Sequence, residues 1–320
     1  MKLHNSKEIF TQAIVTTADY FKINGVLVEK DYWVTYVLKN LSNSKLKDKA
    51  VFKGGTSLSK AHKLINRFSE DIDLAVILTG EESGGAIKSL IKEIETEITQ
   101  GLNESVVEGI TSKGSKFRKT VFEYPRIITG NNFGQASDKL LVEINSFATP
   151  HPFAEMPIQS MMAEFLLQTG RKELISSYGL ESFSVNVLGL ERTFTEKVLS
   201  MVRASYSENP LEEFNARIRH LYDMHYILSK PSMRTFILGN GFKEMINAVL
   251  ADDAKNSQFQ GEWTTKPLKD SVIFSDWENV WAKLQTVYQG QFKTLVFSDL
   301  PDQKAIDNSI KLIIKSIGQL

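Results

Sequence analysis

There is no cysteine in this chain of 320 residues. Disulfide frameworks, thiolate zinc sites and cysteine nucleophiles are therefore excluded. No run approaches the about 18 consecutive apolar residues of a membrane-spanning helix. The opening residues, Met1-Lys2-Leu3-His4-Asn5-Ser6-Lys7-Glu8, lack the apolar stretch of a secretion signal. Net charge is missing too, since 38 basic residues balance 38 acidic ones. Proteins that grip duplex DNA through its phosphates carry a basic excess, so any nucleic-acid contact here has to come from a local patch. There is no internal repeat, no G-x-x-x-x-G-K-[ST] loop, no H-E-x-x-H and no G-x-S-x-G. These absences together fit a cytoplasmic protein without a membrane partner. At 42% apolar and 24% charged residues the chain has the composition of a folded protein. Its length suits two domains or one large domain with an appendage.

Apolar residues at helical spacing predict helices over 6–22 and 29–41, followed by a polar loop at 42–48. A short strand (50–53), a Gly-Gly break, a helix (57–65) and a strand (71–78) come next. Gly84-Gly85 opens a charged helix ending near Gly101, and β patterns run through 105–110, 116–124 and 139–147. Beyond Pro150 the segments 156–168, 171–178, 193–206, 211–228, 232–250, 276–290 and 302–318 read as helices, with one further strand at 183–188. The segment from Asp252 through Ser257 to Pro267 reads as a surface loop. An α/β half, residues 1–150, is thus followed by a mainly helical half, residues 151–320, with the boundary in the proline-rich stretch 150–157.

Two neighbouring segments carry chemistry: Val51-Phe52-Lys53-Gly54-Gly55-Thr56-Ser57-Leu58 and Arg67-Phe68-Ser69-Glu70-Asp71-Ile72-Asp73-Leu74. On a strand, residues two apart share a face, so Asp71 and Asp73 point one way and Ile72, Leu74 and Val76 the other. Two adjacent carboxylates repel, and a divalent cation between them removes that cost. Hard oxygen donors of this kind suit Mg²⁺ or Mn²⁺ bound together with substrate phosphates. The Gly-Gly turn with Thr56-Ser57 opening a helix offers backbone N–H groups and hydroxyls to an anion. Taken singly, each segment has an ordinary reading, a tight turn with an N-cap and a solvated strand edge. Their conjunction in one strand–helix–strand unit points to phosphoryl or nucleotidyl transfer. Glu143, alternating against Val142 and Ile144, is the candidate for a third carboxylate, although an exposed glutamate would look the same. Lys53, Lys60 and Arg67 flank these segments and are candidates for phosphate contact or for ordinary exposure. The basic run Lys113 to Lys119, with Phe117 inside it, is either an RNA-backbone contact or, the favoured reading, a solvated β-hairpin.

The arrangement resembles the nucleotidyltransferase superfamily that includes DNA polymerase β. The details Phe52-Lys53-Gly54-Gly55-Thr56-Ser57-Leu58-Ser59-Lys60, Arg67 to Leu74, and Glu29-Lys30-Asp31-Tyr32-Trp33 resemble its AbiEii branch, the toxins of type IV, or abortive-infection, toxin–antitoxin systems. The resemblance covers residues 29–230, and the last ninety residues add nothing to it. It implies an α+β fold, a polymerase β-like mixed-sheet core with a helical C-terminal half. It also implies that Asp71, Asp73 and Glu143 hold metal, and that Lys53, Gly54, Gly55, Thr56, Ser57 and Arg67 bind the nucleotide. Two later motifs match: Lys197 in Phe194-Thr195-Glu196-Lys197, implied to contact phosphates, and Asp223 in Arg219-His220-Leu221-Tyr222-Asp223, implied to be an acidic partner in catalysis. From the residues alone, the favoured readings are a solvated helix lysine for Lys197 and an i,i+4 surface bridge for Arg219–Asp223. The activity implied is transfer of a nucleoside monophosphate from an NTP to an acceptor such as a tRNA 3′ end. The helical half would complete the site and hold the acceptor, and a separately encoded antitoxin would restrain the toxin. A small-molecule acceptor such as an aminoglycoside, a protein side chain, or a non-catalytic partner-binding module retaining the fold are the alternatives.

Overall fold

The computed structural model describes residues 1–69, 71–128, 138–256 and 259–318; Glu70 of the aspartate motif lies outside them, as does Ser257. The chain forms two compact units. Residues 1–63 with 68–187 make the first, and 64–67 with 188–320 the second. The division falls after Val187 rather than near 150, because strands beyond the proline-rich stretch join the sheet of the first unit.

The first unit runs α1 (Lys7–Phe21), α2 (Gly25–Asn43), β1 (Ala50–Lys53), α3 (Gly54–Lys60), β2 (Ile72–Val76), α4 (Gly84–Ile98), β3 (Asn103–Ser105), β4 (Ser112–Lys113), β5 (Phe117–Glu123), β6 (Leu140–Asn145), β7 (Phe153–Ile158), α5 (Met161–Gln168), α6 (Lys172–Tyr178) and β8 (Phe183–Leu188). The strands form one mixed sheet in the order β3-β5-β6-β2-β1-β8-β7, with β4 added on β5. β2 is central, antiparallel to β1 and parallel to β6. Alternation decides which face is dry. Phe52, Ile72, Leu74, Val76, Leu140, Val142 and Ile144 are buried in one cluster with Tyr32, Trp33 and Val37 of α2 and Ile87, Ile91, Ile94 and Ile98 of α4. Their odd-numbered neighbours Asp73 and Glu143 therefore occupy the opposite face. Even on the dry face one charge is accommodated: Arg118 Nε donates to Glu95 Oε2 at 2.8 Å, and Thr120 donates to the same carboxylate. The basic run is thus a hairpin, as favoured, but its Arg118 points into the core.

Three elements differ from expectation. The helix after the glycines starts at Gly54 and stops at Lys60, and Lys63 takes a left-handed φ of 51°. The β pattern at 105–110 gives only β3, because Gly109 turns at a φ of 76° and leaves Val106 exposed. The first residues of the helix expected at 156–168 form β7, the last strand in the sheet order, where Pro157 needs no ladder N–H. Ser160 then caps α5 by accepting from Ala163 N.

The second unit holds α7 (Leu190–Ala204), α8 (Pro210–Ala216), α9 (Ile218–Ser229), α10 (Pro231–Leu238), α11 (Asn240–Asp253), α12 (Val272–Ser275), α13 (Trp277–Gln289) and α14 (Gln303–Ile317). The expected helices 211–228 and 232–250 are each two, broken at Arg217 and at Gly239. Asp252 and Asp253, expected in a surface loop, end α11 and are buried. Asp252 accepts from Arg192 at 2.8 Å, and Arg203 reaches Asp253 at 3.5 Å. Arg203 also lies over the Phe259 ring, 4.1 Å from its centroid.

Burial pushes the Asp253 carboxyl up to about 6, against the opposing pull of Arg203. A folded pKa above the ordinary 3.8 means that the folded state holds the proton longer, so stability falls as pH rises from about 4 to 6. Asp253→Asn removes this dependence. Thermal melts of the two proteins across pH 4–7 should therefore diverge within that window and run parallel above it; parallel curves throughout would contradict the burial of this carboxyl.

Candidate active site

The two glycines stand where β1 turns into α3. Gly54 has a φ of 79°, a region that side chains disfavour. A Cβ on Gly54 would sit 2.1 Å from Asp73 Oδ2 and 3.0 Å from its Cγ. The Asp73 carboxylate therefore occupies the space that a side chain at 54 would need. That contact joins the glycine turn and the aspartate strand into one local structure, which spacing in the sequence could only suggest. The hydroxyls beside it are engaged elsewhere. Ser57 Oγ donates to Gly54 O at 2.9 Å, Thr56 Oγ1 donates to Ser69 Oγ at 3.0 Å, and both residues are fully buried. The hydroxyls expected on phosphate thus bond within the protein here, Ser57 back onto the turn and Thr56 to Ser69. What remains for an anion is the backbone N–H groups of the first turn, Gly55 among them, which have no intrahelical acceptor.

The strand register completes the arrangement. Lys53 pairs with Asp73, Asp73 with Glu143, and Glu143 with Lys119, forming one row across β1, β2, β6 and β5. The order of charges is plus, minus, minus, plus. Lys119 Nζ lies 3.6 Å from Glu143 Oε2, so each end of the carboxylate pair is flanked by a lysine. Asp71 lies one residue before β2, on the same face as Asp73 by alternation. Sequence reasoning missed Lys119 as a member of this row; the alternation Arg118 in, Lys119 out, Thr120 in was the available signal.

Among the described residues, no group of three carboxylate or imidazole side chains is gathered closely enough to enclose a metal ion. Asp71, Asp73 and Glu143 are thus not a closed cage. Their chemistry still fits a hard divalent ion, because Mg²⁺ is commonly held by one or two carboxylates plus water and substrate phosphate oxygens.

A second cluster lies within the second unit. Asp223 on α9 is fully buried and accepts from Arg67 Nε and Nη2, both at 2.7 Å. Lys197 Nζ on α7 is 2.8 Å from the same carboxylate. The Arg219–Asp223 surface bridge is therefore not what forms. Burial alone would raise the Asp223 carboxyl, but the charges and hydrogen bonds of Arg67 and Lys197 outweigh it and hold it below the ordinary carboxylate range. Arg67, expected on the nucleotide, is itself buried and presents its fork to Asp223. Its segment, 64–67, is anchored by Phe297 N donating to Asn66 O at 2.8 Å and by Asn66 N donating to Tyr222 Oη at 3.3 Å.

Lys60, the other flanking lysine, is buried against Asp31 of α2. Asp31 also accepts from Met161 N at 2.8 Å, tying α2, α3 and the start of α5 together. Glu29 on α2 accepts from Ile127 N at 2.6 Å and Ile128 N at 3.0 Å. The leading-helix motif thus acts as scaffolding, with its charges turned inward. His220 and His225 do not pair; His225 Nδ1 meets Ser309 Oγ at 2.8 Å.

A family model described as nucleotidyl transferase AbiEii toxin, type IV toxin–antitoxin system, matches residues 36–305. The chain belongs to the AbiEii family. It is therefore a nucleotidyltransferase of a toxin family, and the match extends well into the last ninety residues, which the sequence motifs had left out. Among solved structures the chain is similar to MenT4, a nucleotidyltransferase toxin from Mycobacterium tuberculosis H37Rv. The identity is 15%, with 94% of this chain and 98% of that one covered and a TM-score of 0.48. No curated protein matches. No helix among the described residues is long and apolar enough to cross a membrane.

Proposed function

We propose that this AbiEii-family chain transfers a nucleoside monophosphate from an NTP to an RNA 3′ end such as that of tRNA, and that a cognate antitoxin keeps this toxic activity in check. The observation that carries the reading is the Asp73 carboxylate packed against Gly54, with Glu143 beside it in register. The closeness of a glycine turn to two carboxylates in register is what supports reading the turn as an anion site. The acceptor and the antitoxin rest on family likeness, not on geometry.

In this reading the first-turn N–H groups of α3 receive phosphate oxygens, and the Asp71, Asp73 and Glu143 face is where Mg²⁺ or Mn²⁺ binds. When bound, the ion supplies neutralisation of the phosphate charge and of the carboxylate repulsion. Lys53 and Lys119 hold the carboxylates in their row. Lys197, which family likeness assigns to phosphate contact, has its ammonium positioned by Asp223 within the second unit. An acceptor hydroxyl attacks the α-phosphorus in line, the bond from that phosphorus to the β-phosphate oxygen breaks to release pyrophosphate, and the hydroxyl proton passes to solvent water.

The test is incubation of the purified protein with Mg²⁺, total tRNA and each α-labelled NTP in turn, with Asp73→Ala as control. Label on tRNA only with the intact protein is the expected result. Label on protein or on a small molecule would overturn the RNA acceptor. Absence of both NTP binding and transfer would overturn the proposal as a whole. Lys197→Ala is expected to lower transfer by about 100-fold or more, the scale of losing one preorganised charge contact.

A further inference from the structure

In the triad of Arg67, Asp223 and Lys197, two cations share one anion. Arg67 presents a fork: Nε donates to Asp223 Oδ1 and Nη2 to Oδ2, each at 2.7 Å. Lys197 Nζ lies 2.8 Å from Oδ2. Both carboxylate oxygens are therefore committed to the arginine, and the lysine shares one of them. Against the burial that would raise it, the two cations hold the Asp223 carboxyl below its ordinary range, so the carboxylate is ionised. The triad as a whole then carries one positive charge in excess.

Anchoring the segment 64–67 does not call for that excess. The segment is already tied down by the antiparallel bridge of Arg67 to Val296, by Phe297 N donating to Asn66 O at 2.8 Å and by Asn66 N donating to Tyr222 Oη at 3.3 Å. A lysine–aspartate pair alone would be neutral. A surplus cation in a buried cluster is unfavourable unless an anion meets it. Exposure shows where one can arrive. Lys197 keeps 9% of its side-chain surface, Arg67 3% and Asp223 none, so the cluster opens at the ammonium. An ammonium has three N–H donors; one faces Asp223, which leaves two for an incoming oxygen.

We propose that Arg67 is a positioning residue for nucleotide binding: by taking both oxygens of Asp223 it prevents that carboxylate from cancelling the Lys197 charge, and so leaves a net positive ammonium for a phosphate group of the NTP. Arg67 itself touches no substrate. The inference rests on the reading that Lys197 meets phosphate.

Equilibrium dialysis of the full-length protein against each of the four NTPs with Mg²⁺ tests the proposal, beside a melting curve for every variant. The net charge of the triad sets the expected order. Arg67→Gln leaves a neutral Lys197–Asp223 pair, which is expected to fold, and should weaken NTP binding at least about tenfold. Arg67→Gln combined with Asp223→Asn restores one net positive charge and should recover most of that loss. Arg67→Lys, which keeps the charge without the fork, should stay within about threefold of the intact protein. An arginine that only supported the fold would give no recovery in the double variant, which has lost both charges of the buried pair. The proposal is overturned if Arg67→Gln binds NTP as the intact protein does, if the double variant binds no better than Arg67→Gln, or if Arg67→Lys binds as weakly as Arg67→Gln. Lys197→Ala separates the inference from the reading beneath it. Unchanged NTP binding by that variant would remove Lys197 from the phosphates, and the inference with it. Weakened binding there, with unchanged binding in Arg67→Gln, would overturn the role of Arg67 alone.

Discussion

Gly54→Ala should lower nucleotide transfer by about 100-fold or more while the protein remains folded. Two costs coincide at this position. The backbone φ of 79° is left-handed, which costs an alanine about 1–2 kcal/mol. The added Cβ would also stand 2.1 Å from Asp73 Oδ2, so the carboxylate has to move by more than an ångström. Displacing a group in an active site by about 1 Å costs on the order of 100-fold in rate. Stability is affected less, because Asp73 lies on the face away from the buried cluster and its side chain can turn aside. The measurement is transfer of label from an α-labelled NTP, set against a melting curve for the same preparation. A Gly54→Ala protein with wild-type transfer would mean that Asp73 does not rest against the turn.

The largest stability effect is expected at Asp223. It is the fully buried anion between Arg67 and Lys197, which are themselves buried. Asp223→Ala leaves two like charges without a counter-ion, and breaking a buried pair from one side typically costs about 3–5 kcal/mol. The second unit should therefore unfold at markedly lower denaturant. The segment 64–67 should loosen with it, since the Arg67 fork is one of its anchors. A triple variant, Arg67→Met with Lys197→Met and Asp223→Leu, separates charge from shape. If the cost of the single change is the uncompensated charge, the triple variant recovers most of the lost stability while remaining inactive. Urea unfolding of both proteins decides this, and an unchanged midpoint for Asp223→Ala would contradict the ion triad.

Much of the first unit was legible because local rules suffice for it. The strands 50–53 and 183–188 are β1 and β8 with the expected bounds, and the alternation Ile72, Asp73, Leu74 assigned core and open face correctly. The open face of Glu143 was legible for the same reason, since Val142 and Ile144 are both buried. Less legible were the roles of hydroxyls and cations. Thr56, Ser57, Lys60 and Arg67 have the chemistry to hold phosphate, but each is buried on a partner distant in sequence or folded back on the turn. A charged side chain in a sequence carries no sign of whether its counter-charge will be a substrate or a neighbour.

Residue types and spacing by themselves determined the class of this protein: the glycine turn, the Asp-x-Asp strand and the alternation that keeps the two aspartates off the core. Those features act over a few residues, within the reach of one strand or one helical turn. Only the tertiary structure decided that Asp73 rests on Gly54, that Lys53 and Lys119 bracket the carboxylate pair, and that four residues, 64–67, leave the first unit to bring Arg67 to Asp223. Each of these depends on strand register or on a pairing across many residues of chain, fixed by which hydrophobic faces bury together. No local preference encodes that choice.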